Sequence, residues 1–135
     1  MVDGVFSGSA TGPAGSVGGP LAGYIALDIS QMIAGPVGAT LLADMGADVI
    51  KVEPPGGSPT RNTGPFYNDE EHPERSLYWT AYCLNKRSIT LDIRQHEGQE
   101  LFKRLVETSD FLLESSVPGT MADLGLGYEA LSKIN

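Results

Sequence analysis

A chain of 135 residues with 41% apolar and 19% charged residues has the proportions of a soluble globular protein rather than a disordered one, and its length suits one domain. A formal net charge of −8 argues against a nucleic-acid or anionic-membrane partner, but leaves room for an anionic ligand held by a local cluster such as Lys86-Arg87. The single cysteine, Cys83, excludes an internal disulfide and suits a reducing compartment. No apolar run reaches spanning length, and the first residues lack the pattern of a signal peptide, so a cytoplasmic protein is expected.

Residues 1–19 are rich in Gly, Ser and Ala and almost uncharged, and read as a flexible leader. Tyr24 to Ile29 is mostly apolar, as a buried parallel strand should be. Ser30 to Ala34 follows as a loop. Pro36 suits the first turn of a helix, whose stripe would be Val37, Leu41, Leu42 and Met45, with Gly46 as its stop. Val49 to Val52 reads as the second strand. Pro54 to Pro73 is a long Pro- and Gly-rich loop of the kind that tends to carry function. Leu77 to Cys83 is expected to be a short buried helix, with Trp79, Tyr78 and Tyr82 in the core. Ser88 to Leu91 reads as a strand, Gln95 to Thr108 as a helix with the stripe Leu101, Phe102, Leu105 and Val106, Phe111 to Glu114 as another parallel strand, and Tyr128 to Ile134 as a helix. Strands alternate with helices, which predicts a Rossmann-like, doubly wound parallel α/β sheet. The loop after Ile29 reads SQMIAGP and not GxGxxG, which removes the dinucleotide pyrophosphate turn and with it a nicotinamide-dependent dehydrogenase.

The segments PLAG, ALDIS, AGPVGATLLADMGADVIKVEPPGG, NKRSITLD, EGQELFKRLVETSDFLLES and PGTMADLGLGYEALSKIN stand in an order and spacing that resemble the amino-terminal part of the family III CoA-transferases, a group that includes formyl-CoA transferase, carnitine CoA-transferase and α-methylacyl-CoA racemase. The resemblance runs from Pro20 to Asn135. It implies an incomplete large domain that binds CoA or acyl-CoA as a substrate, with no permanently bound cofactor. The implied chemistry moves CoA from an acyl-CoA to a small carboxylic acid, through an aspartyl anhydride and an aspartyl thioester. The full-length enzymes of the family are interlocked homodimers. The family's catalytic aspartate lies beyond the matched segment, so no catalytic residue and no metal ligand is assigned here. The racemase branch, which works by acid and base on the α-carbon, shares the same front segments. A chain that stops in a helix barely begun reads as the front of an enzyme; a non-catalytic CoA- or partner-binding module is the other reading.

By the same resemblance, the positions facing CoA are Met32, Ile33 and Ala34 after the first strand, Leu91, Asp92, Ile93 and Arg94 after NKRSI, and Ser115 and Ser116, where many members carry Asn-Phe. From the residues alone, Met32 and Ile33 could equally be core at a helix entry. Arg94 could be a phosphate partner, since guanidinium suits phosphate geometry, or a solvated charge. Lys86 and Arg87 could attract phosphates, although structural ion pairs are the favoured reading. Arg61 could serve a domain contact or a ligand, and His72 and His96 are expected to be exposed.

Overall fold

The computed structural model describes residues 18–135. Most of the leader assigned to 1–19 therefore lies outside the described residues. Gly19 already belongs to the folded part, because its carbonyl accepts from the Ala22 N–H at 3.0 Å and Leu21 N–H donates to the Met45 carbonyl at 3.0 Å.

Four strands form one parallel sheet: β1 (Ile25–Asp28), β2 (Asp48–Glu53), β3 (Arg87–Thr90) and β4 (Phe111–Leu113), in the order β3-β2-β1-β4. The central strands β1 and β2 are the buried ones, as strands covered on both faces must be. β3 is exposed along its length and forms an edge. Between β1 and β2 runs α1 (Ala34–Asp44), and between β3 and β4 runs α3 (His96–Val106). The short helices α2 (Leu77–Tyr82), α4 (Thr120–Asp123) and α5 (Tyr128–Leu131) complete the described chain.

The two faces of the sheet carry two cores of different character. On one, Leu27, Ile29 and Val52 meet Phe102 and Val106 of α3, together with Met121, Leu126 and Leu131. On the other, Ala26 and Val49 meet Ala39 and Ala43 of α1, with Ala47 beside them. The doubly wound arrangement read from the sequence is thus the one observed.

Three expectations need correction. The fully buried residues of α1 are Pro36, Ala39 and Ala43; of the expected stripe Leu42 packs against this core, whereas Leu41 and Met45 are 54% and 46% exposed. Small side chains let the helix axis sit close to the sheet, and a reading weighted toward large apolar residues picked the wrong flank. Similarly, α2 holds no fully buried residue. Tyr78 and Tyr82 meet edge to face at 4.8 Å, and Trp79 lies beneath the Arg61 guanidinium, 4.0 Å from its ring centre, rather than in the core. In α3, Phe102 and Val106 are buried as expected, whereas Leu101 is 47% exposed.

The segment from Pro54 to Pro73 is tied down rather than loose. It contains two 3₁₀ turns, Pro59–Asn62 and Tyr67–Asp69. Ser76 caps α2 by accepting from Trp79 N–H at 3.0 Å, while its own hydroxyl donates to the Thr63 carbonyl at 2.6 Å.

Candidate functional site at the carboxyl edge of the sheet

The strand order places a reversal between β1 and β4: after β1 the chain adds β2 and β3 on one side, then returns to add β4 on the other. In open α/β sheets the crevice outside the carboxyl ends of such a pair is where ligands sit. Two loops occupy it. One is Ser30 to Ile33, leading from β1 into α1, and the other is Glu114 to Ser116, after β4. They are joined directly. Ile29 N–H donates to the Leu113 carbonyl at 3.0 Å, and Gln31 N–H donates to the Ser115 hydroxyl at 2.8 Å. The structure therefore brings Met32, Ile33 and Ala34 together with Ser115 and Ser116.

Met32 and Ile33 are not core residues. They are 62% and 45% exposed, and Met32 has φ of 65°, an uncommon conformation for a residue with a side chain. Such a backbone persists only where its surroundings over-determine it. Gly35 belongs to that surround, since a Cβ there would lie 2.2 Å from Ser30 Cβ, so the first turn of α1 can approach Ser30 only without a side chain. No side chain caps the amino end of α1, which leaves its first-turn amide dipoles facing the crevice.

The segment 91–94 is placed differently. Leu91 N–H donates to the Glu53 carbonyl at 2.8 Å, and Leu91 and Ile93 lie against the α3-side core. Asp92 accepts from Arg94 through both the backbone N–H, at 3.1 Å, and the guanidinium Nε, at 2.8 Å. These hydrogen bonds hold the Asp92 carboxyl below its usual range and raise Arg94. Both groups are at the surface. Segment 91–94 follows the edge strand β3, two strands from β1, and its hydrogen bonds run to Glu53, to Gln95 and within itself.

Beneath the β1 loop is a buried charge cluster. Asp28 and Lys51 are register partners on neighbouring strands, with side chains 0% and 1% exposed. Lys51 Nζ donates to Asp28 Oδ1 at 3.2 Å and to the Ser30 carbonyl. From the segment before β3, Lys86 Nζ donates to Asp28 Oδ2 at 2.9 Å and to the Pro36 carbonyl at 2.7 Å, with its side chain also 1% exposed. Asp28 Oδ1 further accepts from the Ser30 N–H at 2.9 Å and from the Ser30 hydroxyl. Burial works against the Asp28 charge, but the Lys51 charge and the hydrogen bonds from Ser30 and Lys86 outweigh it, so its pKa lies below the ordinary value. Burial pushes Lys51 down, against the pull of Asp28, and the second cation Lys86 adds to that. Burial also raises the half-buried Cys83 thiol nearby.

A second cluster stands at the end of β2. Glu53 accepts from Arg61 Nε at 2.7 Å and Nη2 at 2.8 Å, from Ser58 N–H at 2.7 Å and from the Ser88 hydroxyl. Burial raises its pKa, and these four donors overcome that and bring it down to about 2. Arg61 also reaches Glu74 at 2.9 Å. The Ser58 hydroxyl then donates to Gln31 Oε1 at 3.1 Å, connecting this cluster to the crevice.

Of the basic pair, Lys86 and Arg87 are both structural ion-pair partners: Arg87 Nε binds Asp48 at 2.8 Å. Both histidines are exposed, and His72 Nδ1 accepts from Glu74 N–H at 3.1 Å. Reasoning from sequence missed Gln31, which bridges the two loops and the Ser58 turn. It also missed Asp28 and Lys51, although for Asp28 a signal was present: it is a lone charge in the apolar run YIALDI, and such charges are buried only when paired.

The architecture is that of the doubly wound α/β proteins. Within that class, the chain belongs to CoA-transferase family III, whose sequence profile matches residues 21–135. It is 46% identical over 117 residues to the succinyl-CoA–D-citramalate CoA-transferase of Chloroflexus aurantiacus, covering 86% of this chain and 28% of that protein. It is 40% identical over 118 residues to the acetyl-CoA:oxalate CoA-transferase of Acetobacter aceti, covering 87% of this chain and 29% of that one. Among solved structures it resembles a CaiB/BaiF family protein from Brucella suis, with a TM-score of 0.79 at 40% identity over 87% of this chain and 31% of that one. A hypothetical protein from Mycobacterium tuberculosis gives a TM-score of 0.78 at 37% identity, with the same coverage. The chain thus spans less than a third of the length of these relatives.

Proposed function

We propose that this chain is the CoA-binding front of a CoA-transferase that moves CoA between an acyl-CoA and a small carboxylic acid. The observation that carries the reading is the Gln31–Ser115 hydrogen bond at 2.8 Å, which joins the two loops at the β1/β4 reversal of a family III fold. Met32, Ile33 and Ala34 form one wall for the ligand, and Ser115 and Ser116 the other. Two exposed apolar side chains suit the adenine end of CoA, and backbone amides and hydroxyls suit its polar groups. Arg94 and the backbone of Leu91, Asp92 and Ile93 serve the same ligand from the β3 side; for this Arg94 must exchange its Asp92 partner for phosphate oxygens.

The transfer itself would run through an aspartyl carboxylate supplied outside these residues. That carboxylate attacks the thioester carbonyl, the C–S bond breaks, and the thiolate leaves with the electron pair while the acyl group forms an anhydride. The thiolate then attacks the anhydride at the aspartyl carbonyl, expelling the donor acid and leaving an aspartyl thioester. Attack by the acceptor acid and return of the thiolate complete the exchange. The present residues would hold CoA while its acyl partners change. The acceptor is a small carboxylic acid of the kind named for the relatives, such as D-citramalate or oxalate, and the working enzyme is an interlocked homodimer. Among the described residues no helix is long and apolar enough to cross a membrane; a cytoplasmic setting belongs to this reading as well.

The test is a titration of CoA into the 135-residue chain, followed by backbone amide NMR. Saturable binding with shifts concentrated at residues 31–35, 91–94 and 115–116 supports the reading. The absence of binding at millimolar CoA, or shifts elsewhere, overturns it.

A further inference from the structure

We propose that Lys86 and Lys51, acting through the Asp28 carboxylate they share, are positioning residues that lock the Ser30–Pro36 loop into its ligand-accepting shape. The loop needs such a device. Met32, Ile33 and Ala34 face outward, Met32 holds a positive φ, and α1 has no side-chain cap. Gln31 is held from the side by Ser115 and Ser58, whereas the buried ends of the loop, Ser30 and Pro36, are fixed from below.

The pattern of donors fits that task. Each lysine divides its ammonium between Asp28 and a loop carbonyl, Lys51 at Ser30 and Lys86 at Pro36. These carbonyls stand at the two ends of the loop. Asp28 in turn holds the Ser30 N–H and hydroxyl. A carboxylate between two cations is therefore the hub, and both ends of the loop are spokes. A simple structural ion pair would need only one lysine. Burying a second cation on the same carboxylate is costly, and an apolar residue of similar volume would serve stability better. The excess is accounted for if the second lysine specifies the loop's conformation. Lys86 reaches α1 from the far side of the chain, across 50 residues of sequence, so the loop is set only once β3 is in place.

The proposal rests on the CoA reading only for its second readout. Hydrogen exchange of the 135-residue chain is compared for wild type, Lys86→Met and Lys86→Arg. Arg87→Gln, which removes the neighbouring Arg87–Asp48 pair and no loop contact, is the control. In Lys86→Met the Gln31 and Val37 amides should exchange at least about tenfold faster, the effect of losing one charge-assisted hydrogen bond, with the β1–β2 ladder unchanged. Lys86→Arg should recover part of the protection, and Arg87→Gln should match wild type. CoA affinity of Lys86→Met should fall on the order of tenfold. Wild-type exchange at the loop in a folded Lys86→Met chain overturns the proposal. Equal loosening of loop and ladder also overturns it, by making the lysine a general stabiliser. Should Lys86→Met fail to fold, Asp28→Asn decides by the same two criteria, since it keeps an acceptor for Ser30 and removes the charge. If wild type shows the exchange pattern but binds no CoA, the positioning role stands and the CoA reading fails.

Discussion

Glu53 is held well below the ordinary carboxylate range, its pKa brought from 4.5 to about 2. A group whose folded pKa is depressed stabilises the fold above its unfolded pKa, and that stability is lost as pH falls through the folded value. The window is therefore about pH 4.5 down to about 2. With its side chain only 3% exposed, the linked stabilisation at neutral pH is about 3 kcal/mol. Glu53→Gln should lower the unfolding free energy at pH 7 by a similar order and flatten its pH dependence in that window. Urea melts at pH 7, 4 and 3 check this; a variant whose loss is the same at all three removes Glu53 as the titrating group. Ser115 is a smaller matter at the same scale. Ser115→Ala takes the acceptor from Gln31 N–H in an exposed setting, so stability should fall by about 1 kcal/mol or less. CoA affinity should fall more than stability does, which calorimetric binding and a thermal melt separate.

At the scale of elements, the first turn of α1 is defined by an absence. Gly35→Ala would place a Cβ 2.2 Å from Ser30 Cβ, and neither Ser30, bound to Asp28, nor the Pro36 carbonyl, bound to Lys86, is free to yield. The substitution should cost at least about 1–3 kcal/mol despite alanine's better helix propensity, because overpacking outweighs propensity. By contrast Leu41→Lys, on the exposed flank of α1, should stay within about 0.5 kcal/mol of wild type in this chain. Thermal melts of the two variants check the contrast. That contrast is also where sequence reading succeeded and failed. The positions of α1, α3 and the four strands were legible because runs such as YIALDI, DVIKV and FLL, punctuated by Gly-Pro and Gly, leave few other elements possible. The face of α1 was not legible, since alanines chosen for close approach carry little hydrophobic weight. The pairing of Asp28 with both lysines needed three segments far apart in sequence, and only the register of β1 with β2 and the turn before β3 bring them together. From the residues alone Met32 and Ile33 could equally be core, because the left-handed backbone at Met32 in this outward-facing loop has no composition signature.

For the whole molecule, the question that the proposed function raises is how a chain of net charge −8 would meet a polyanion such as CoA. Part of the excess is concentrated where Asp69, Glu70, Glu71 and Glu74 are exposed in one stretch, while the Asp28 cluster carries two lysines against one carboxylate beneath the crevice. The two fields differ in reach. Repulsion by the net charge acts over tens of ångströms at low salt, when the Debye length is about 30 Å at 0.01 M, and is largely screened at 0.1 M, when it is about 10 Å. The buried cluster acts at short range and is screened much less. Association should therefore speed up as salt rises over that interval, while dissociation, governed by contacts inside the crevice, changes little. Stopped-flow measurement of CoA binding at the two salt concentrations reads both rates. An association rate that instead falls with salt would mean that a positive field extends beyond the loop into solvent, and that local charge rather than net charge steers the ligand in. A dissociation rate as salt-sensitive as association would place the phosphates on the exposed surface at Arg94 alone, with no contact to the first turn of α1.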